Sequence, residues 1–76
     1  MFIPYQAIRV LNNEWHKVAI RNKEKPYIMK CRQWCMENTQ ENWTYYVVSY
    51  SSIVGYTKFS FQKLEDALLF EMTFPE

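Results

Sequence analysis

Few side chains in this sequence could carry chemistry. His16 is the one histidine, and Cys31 and Cys35 are the two cysteines. A nucleophilic thiol needs a base beside it, so a Cys–His pair is the arrangement that the chain could offer. Both cysteines, however, fall on the apolar side of a predicted helix, where a thiol behaves as a small hydrophobic group. We therefore expect no catalytic residue, and we interpret His16 as a surface or hairpin-edge residue.

The other common catalytic patterns are weak as well. A zinc site would need both cysteines, His16 and a carboxylate, without the closely spaced cysteines at a turn that structural zinc sites use. Glu65 and Asp66 are adjacent, so a helix would point them about 100° apart, and acids in a first helical turn are explained by the helix dipole. The single glycine, Gly55, excludes a glycine-rich phosphate-binding loop. The sequence thus predicts a non-enzymatic protein without a metal or a cofactor.

The apolar pattern predicts the elements of one domain over residues 1–76. The expected strands are Phe2–Leu11, Trp15–Arg21, Trp43–Tyr50, Tyr56–Phe61 and Met72–Phe74, and the expected helices are Tyr27–Asn38 and Gln62–Glu71. Residues 12–14 form the expected hairpin turn between the first two strands, because asparagine tolerates positive φ. The residues of the second helix expected to face inward are Leu64, Ala67, Leu68 and Phe70.

The order of these elements suggests a fold class. Residues 1–14 form an opening strand and hairpin turn, and residues 15–74 then read βαββαβ. This order predicts an α+β, ferredoxin-like (split βαβ) fold, in which an antiparallel sheet of four to five strands carries two helices on one face. Trp43–Tyr50 is expected to be a central strand. Three Trp, five Phe and six Tyr supply the core of a chain of only 76 residues.

Cysteine spacing and hydropathy bear on where the protein acts. Cys31 and Cys35 lie four residues apart on one helix, which holds them too far apart for a disulfide, and reduced thiols are typical of the cytosol. The N-terminus lacks the charged and apolar regions of a signal peptide, and no stretch approaches the roughly 18 apolar residues of a membrane span. We therefore predict a cytoplasmic protein that does not bind membranes.

Charge is unevenly distributed along the chain. Residues 1–36 carry seven Lys or Arg against two Glu, whereas residues 37–76 carry two Lys against six acids. Attraction between the halves of one fold is the simplest explanation, and a dipolar surface that binds an acidic protein or a nucleic-acid backbone is the alternative. The candidate basic binding residues are Lys17, Arg21, Lys23, Lys25, Lys30 and Arg32.

Aromatic residues of the predicted sheet give the clearest functional signal. Helices on one face would leave the other face exposed, and the strand Trp43–Tyr50 has aromatics on both faces. An exposed aromatic sheet face stacks unpaired bases in RRM-type domains, and tyrosine-rich surfaces are also common in protein interfaces. The aromatic strands supply only Lys58 for phosphates, which favours a protein partner. The candidate residues of this face are Trp43, Tyr46, Tyr50 and Tyr56.

A set of packing motifs runs through residues 15–74. Trp34 is followed by Glu37-Asn38 and Trp43, then by residues 59–61 (FSF), and residues 65–74 read EDALLFEMTF. This WxxEN … EDAxxFxLxF-like pattern resembles small uncharacterised accessory proteins of tailed bacteriophages, from which the chain departs in its second cysteine and its tyrosine-rich third strand. The resemblance implies a stoichiometric binder of a bacterial host protein, acting in the host cytoplasm.

We therefore expect a non-enzymatic binding protein that modulates a bacterial host protein. A binder of single-stranded nucleic acid that uses the aromatic sheet face is the first alternative. A ligand-binding domain of the ACT type, in which ferredoxin-like domains pair through their edge strands, is the second. The exposed edge of such a sheet also favours a homodimer.

Overall fold

The computed structural model describes residues 1–5, 14–21, 25–47 and 55–75. The elements in chain order are β1 (His16–Arg21), α1 (Lys25–Asn38), β2 (Trp43–Val47), β3 (Tyr56–Phe61) and α2 (Leu64–Thr73). The described part of the chain is therefore α+β, as the hydrophobic periodicity predicts.

The three strands form one antiparallel sheet in the order β1-β3-β2. Phe59 of β3 lies opposite Val18 of β1 and opposite Tyr45 of β2. Because successive strand residues point to opposite faces, Phe59 and Phe61 share one face and Lys58 points to the other. The first face is covered by the helices, and we call it the helix-covered face.

Both helices contribute to the core on the helix-covered face. Cys31 and Cys35 of α1 and Phe70 of α2 are fully buried in the same apolar cluster as Phe59 and Phe61. The Phe70 ring centroid lies 4.8 Å from that of Phe59 and 5.1 Å from that of Phe61. In the parts of the chain that the structure describes, no helix is long and apolar enough to cross a membrane, since α1 and α2 have 14 and 10 residues.

Helix α1 confirms the helix that the apolar spacing predicts, but it begins two residues earlier than predicted. Pro26 is its second residue, where the missing proline N–H is not required for the helix. At its C-terminal end the Thr39 N–H and hydroxyl both donate to the Cys35 carbonyl, at 3.2 and 2.6 Å. The Asn38 side chain donates to the Trp34 carbonyl at 3.0 Å. The bonds from Thr39 satisfy the Cys35 carbonyl, one of the last four carbonyls, which the end of a helix leaves without an intrahelical partner.

The prediction of four to five strands is wrong, because the described residues form a sheet of three. The expected closing strand Met72–Phe74 is not formed: Met72 and Thr73 belong to α2, and the Phe74 N–H donates to the Phe70 carbonyl at 2.9 Å. This helical continuation brings the Phe74 ring to 5.1 Å from the Phe70 ring. The ferredoxin-like order is not shown, because its last strand is missing from the described residues.

Among the described strands, the strand at Trp43 is not the central one, which also differs from the prediction. β3 lies between the other two strands and pairs with both, whereas β2 occupies a flank of the three-stranded sheet. Strand order depends on contacts between distant parts of the chain, and a high content of β-forming residues does not encode it. Residues 48–54, which hold the end of the expected strand and most of its turn, lie outside the described residues.

The N-terminal residues contact β2 rather than β1. Phe2 makes a single parallel bridge to Trp43. The Ile3 N–H donates to the Trp43 carbonyl at 2.9 Å, and the Trp43 N–H donates to the Met1 carbonyl at 3.1 Å. Within residues 1–5 the expected opening strand is thus reduced to one bridge, and the rest of that strand lies outside the described residues.

Candidate functional site

The cysteines are placed for packing rather than for nucleophilic chemistry. Cys31 and Cys35 are both fully buried, and neither forms a disulfide. Burial raises the pKa of the Cys35 thiol, and the nearby Cys31 and Asp66 raise it further. A reactive cysteine needs the opposite shift, toward the thiolate at neutral pH. His16, by contrast, is exposed on β1.

The two adjacent acids of α2 have different environments. Asp66 is buried, and its Oδ2 accepts hydrogen bonds from the backbone N–H groups of Gln40 and Glu41 at 3.0 and 3.2 Å. This carboxylate therefore holds the turn between α1 and β2 against α2. Glu65 points to solvent. Among the described residues, no group of three or more His, Cys, Asp or Glu is arranged to hold a metal ion.

The structure separates Trp43 from the tyrosines of the predicted aromatic face. Trp43 lies opposite Phe61, so it shares the helix-covered face, where it is fully buried. Tyr46 lies opposite Lys58 in the sheet, and Tyr56 lies two residues before Lys58 on β3. Both tyrosines therefore point, like Lys58, to the face opposite Phe59 and Phe61. Tyr50 lies outside the described residues. Tyr46 and Tyr56 are therefore the two members of the predicted set that share a face in the described residues.

Each of these two tyrosine rings is already in contact with another side chain of the described residues. The Tyr5 ring lies 4.3 Å from the Tyr46 ring, and the Lys58 ammonium lies 5.6 Å from the centre of the Tyr56 ring. Thr44, which points to this same face, is fully buried. A platform for base stacking needs accessible ring faces, so these contacts count against base stacking here.

The predicted basic residues are spread over different surfaces. Lys17 and Arg21 are exposed on β1 and point to the face opposite the helices. Lys25 and Lys30 are exposed on α1. Arg32 is half-buried, with its guanidinium 5.0 Å from the centre of the Tyr45 ring on the helix-covered face. Lys23 lies outside the described residues.

The largest exposed apolar group on α2 is a surface that the sequence reasoning missed. Leu64 and Leu68, which the spacing places inside, are 48% and 52% exposed. Leu69 is 48% exposed and Met72 is 78% exposed. The prediction of an inward orientation is therefore wrong for Leu64 and Leu68. We call the surface formed by Leu64, Leu68, Leu69 and Met72 the leucine face.

The leucine face exists because α2 has apolar residues on two sides. One side, with Ala67 and Phe70, packs on the sheet, and Phe74 extends it beyond the helix end. Aromatic rings there contact Phe59, Phe61 and Trp34, with the Trp34 and Phe70 centroids 5.7 Å apart. A helix this short can turn only one side to the sheet, and the aromatic side buries more area. The spread of apolar residues over more than one side of α2 is the sequence signal that could have revealed a second surface.

A groove lies beside α2, along β1. It has a volume of about 440 Å³ and is lined by Lys17, Val18 and Ala19 of β1 and by Glu71, Phe74 and Pro75 at the end of α2. Lys17 and Glu71 supply its charged groups, so it offers no pair of carboxylates and no thiol for catalysis. The leucine face is the more distinctive surface of the two.

No protein-family model, no curated protein and no solved structure matches this chain. The resemblance to phage accessory proteins therefore stays a prediction from the motifs that carry it.

Proposed function

We propose that this chain is a non-enzymatic binding protein that uses the leucine face to bind another protein, and that the partner is a bacterial host protein in a phage-infected cell. The observation that carries the proposal is the exposure of four large apolar side chains on one short helix. Single exposed apolar residues are ordinary on protein surfaces, whereas a contiguous group marks an interaction site. The motif resemblance to phage accessory proteins supports the biological setting.

Binding is a better interpretation of these residues than catalysis. The thiols are buried, and the raised pKa of Cys35 keeps it protonated at neutral pH. Asp66 is occupied in holding a turn. A protein of this composition changes the activity of a target by occupying a surface of that target, and the size of the effect is proportional to the amount of the protein.

A protein partner also fits better than a nucleic acid. The leucine face belongs to a helix with acidic residues in its first turn and no basic residue in its last turn, whereas nucleic-acid binding sites present Lys and Arg to the phosphates. The aromatic alternative loses support because the Tyr46 ring is in contact with Tyr5.

The proposal is tested by affinity capture from bacterial lysate, with nuclease treatment, using wild type and two variants. Leu68→Asp places a charge in the middle of the leucine face. Met36→Asp makes the same kind of change on α1, where Met36 is 66% exposed, and serves as the matched control. Circular dichroism and urea denaturation first establish that both variants fold like wild type. We expect one stoichiometric protein that wild type and Met36→Asp retain and Leu68→Asp does not.

Two results would contradict the proposal. A partner retained equally by Leu68→Asp would place the binding site elsewhere on the chain. Nucleic acid recovered by wild type, or a partner lost on nuclease treatment, would support the nucleic-acid alternative. Isothermal titration of the purified partner against the three proteins then measures the effect directly, with an expected loss of at least tenfold in affinity for Leu68→Asp.

A further inference from the structure

We infer that the leucine face binds a basic amphipathic helix of the partner, an inference that rests on the proposed function. The charges of α2 point to this chemistry. Its ten residues, LEDALLFEMT, include three acids and no Lys or Arg. Asp66 is buried, which leaves Glu65 and Glu71 as the exposed charged groups of the helix.

Glu65 lies within the leucine face rather than beside it. An α-helix turns by about 100° per residue, and in projection down the axis this places Glu65 between Met72 and Leu69. The same projection places Glu71 next to Leu64, at the edge of the leucine face. A partner that covers the apolar side chains therefore also covers the Glu65 carboxylate and approaches that of Glu71.

The occupant has to satisfy both parts of this surface. An apolar partner surface alone would remove water from Glu65 without replacing it, and burial of an unpaired carboxylate is unfavourable. A Lys or Arg placed against Glu65 supplies a charge-assisted hydrogen bond. An amphipathic helix carries apolar residues on one side and basic residues at its borders, so it provides both kinds of contact in one segment.

A second copy of the chain and a membrane surface fit less well. Two α2 helices packed antiparallel through their leucine faces would bring Glu65 of one copy near Met72 of the other. Such a dimer would cover two carboxylates and supply no cation from α2, which has none. An anionic lipid surface would repel both Glu65 and Glu71.

The size of the surface sets the expected strength of binding. Ten helical residues span about 15 Å, enough to contact about three turns of a partner helix. This is smaller than the interface of a typical stable complex. We therefore expect micromolar affinity that weakens as salt rises, because the charges at the rim of the contact are screened.

The experiment uses the full chain and two synthetic helical peptides of about 18 residues that share one leucine-rich side. One peptide carries Lys along the borders of that side, and the other carries Glu at the same positions. Each labelled peptide is titrated with wild type, Leu68→Asp, Glu65→Lys and Glu37→Lys while fluorescence anisotropy is recorded at low and moderate salt. Glu37→Lys is the matched control, since Glu37 is an exposed acid on α1.

We expect wild type to bind the Lys peptide at least tenfold more tightly than the Glu peptide, and Glu65→Lys to reverse that preference. Glu37→Lys should behave as wild type, and Leu68→Asp should bind neither peptide. If the preference for the Lys peptide survives Glu65→Lys, or if wild type binds neither peptide, the inference is wrong.

These outcomes separate the inference from the proposed function. Loss of the host partner by Leu68→Asp together with an unchanged affinity in Glu65→Lys would leave the leucine face as the binding site but overturn the basic-helix assignment. Retention of the host partner by Leu68→Asp would overturn both. A dimer of wild type in light scattering that Leu68→Asp converts to a monomer would assign the leucine face to a second copy, against the inference.

Discussion

Truncating Phe70 and Leu68 separately tests how α2 is oriented on the sheet. Phe70 is fully buried, with ring centroids of Phe59, Phe61 and Phe74 at 4.8, 5.1 and 5.1 Å. Phe70→Ala should therefore lower the free energy of unfolding by about 3 to 5 kcal/mol, through lost transfer energy and an unfilled cavity. A stable 76-residue domain has about 4 to 11 kcal/mol in total.

Leu68→Ala should have a much smaller effect, although the sequence pattern assigns Leu68 to the same inward side. Leu68 is 52% exposed, so less than half of the roughly 1.5 to 3 kcal/mol of a fully buried leucine side chain is available to lose. No internal cavity opens, and alanine is at least as good a helix former as leucine. We expect a loss of about 1 kcal/mol or less.

Urea denaturation, followed by circular dichroism and tryptophan fluorescence, measures both variants. If Phe70→Ala is already unfolded in buffer, Phe70→Leu provides a milder change with an expected loss of about 1.5 kcal/mol. Equal losses for Phe70→Ala and Leu68→Ala would refute the orientation of α2, and with it the leucine face on which both proposals depend.

Three further outcomes follow from other contacts. Asp66→Ala should lower the free energy of unfolding by about 2 to 4 kcal/mol, because two backbone N–H groups lose a charged acceptor, while the exposed neighbour substitution Glu65→Ala should leave the urea midpoint almost unchanged. Burial raises the pKa of Cys35 above its ordinary value of 9.0, so above pH 9.0 the thiol ionises in the unfolded chain but not in the folded one. The contribution of Cys35 to the free energy of unfolding should therefore be fully present below pH 9.0 and fall as the pH rises above it. A free energy of unfolding that rises with pH in this range would contradict the burial of Cys35. Arg32→Met should change the free energy of unfolding by less than about 1 kcal/mol. The contact of the guanidinium with the Tyr45 ring is worth about 0.5 to 1 kcal/mol, and the substitution also removes a buried Nε that has no hydrogen-bond partner. A loss above about 2 kcal/mol in urea denaturation would show a stronger interaction.

Local patterns carried enough information to predict α1, β1 and β3, although not the missing strand at Met72–Phe74. In α1 the apolar residues recur with helical spacing and Pro26 marks the start, so both its position and its buried cysteines follow from the sequence. β1 and β3 alternate in hydropathy, and their core residues Val18 and Phe59 do face the helices. These features depend on residues within a few positions of each other, which is why periodicity detects them.

The candidate site depends on long-range contacts, which hydrophobic periodicity cannot predict. The position of Asp66 in the first turn of α2 predicts an acid that interacts with the helix dipole, whereas its carboxylate binds the turn of residues 40–41, about 25 positions away in the sequence. Strand composition groups Trp43 with Tyr46, although the pairing register with β3 turns Trp43 into the core. In each case the competing interaction lies far away along the chain.

The sequence by itself therefore determined that the described part of this protein is α+β, that its thiols lie on the core side of a helix and that aromatic rings are the largest side chains of its core. Only the tertiary structure decided that β3 is central among the described strands and that α2 turns Phe70 rather than Leu68 to the sheet. The physical reason is competition between two apolar sides of one helix. Phe70 and Phe74 gain contacts with rings of β3 and α1. Those distant rings, rather than the spacing within α2, determine which side of the helix remains exposed.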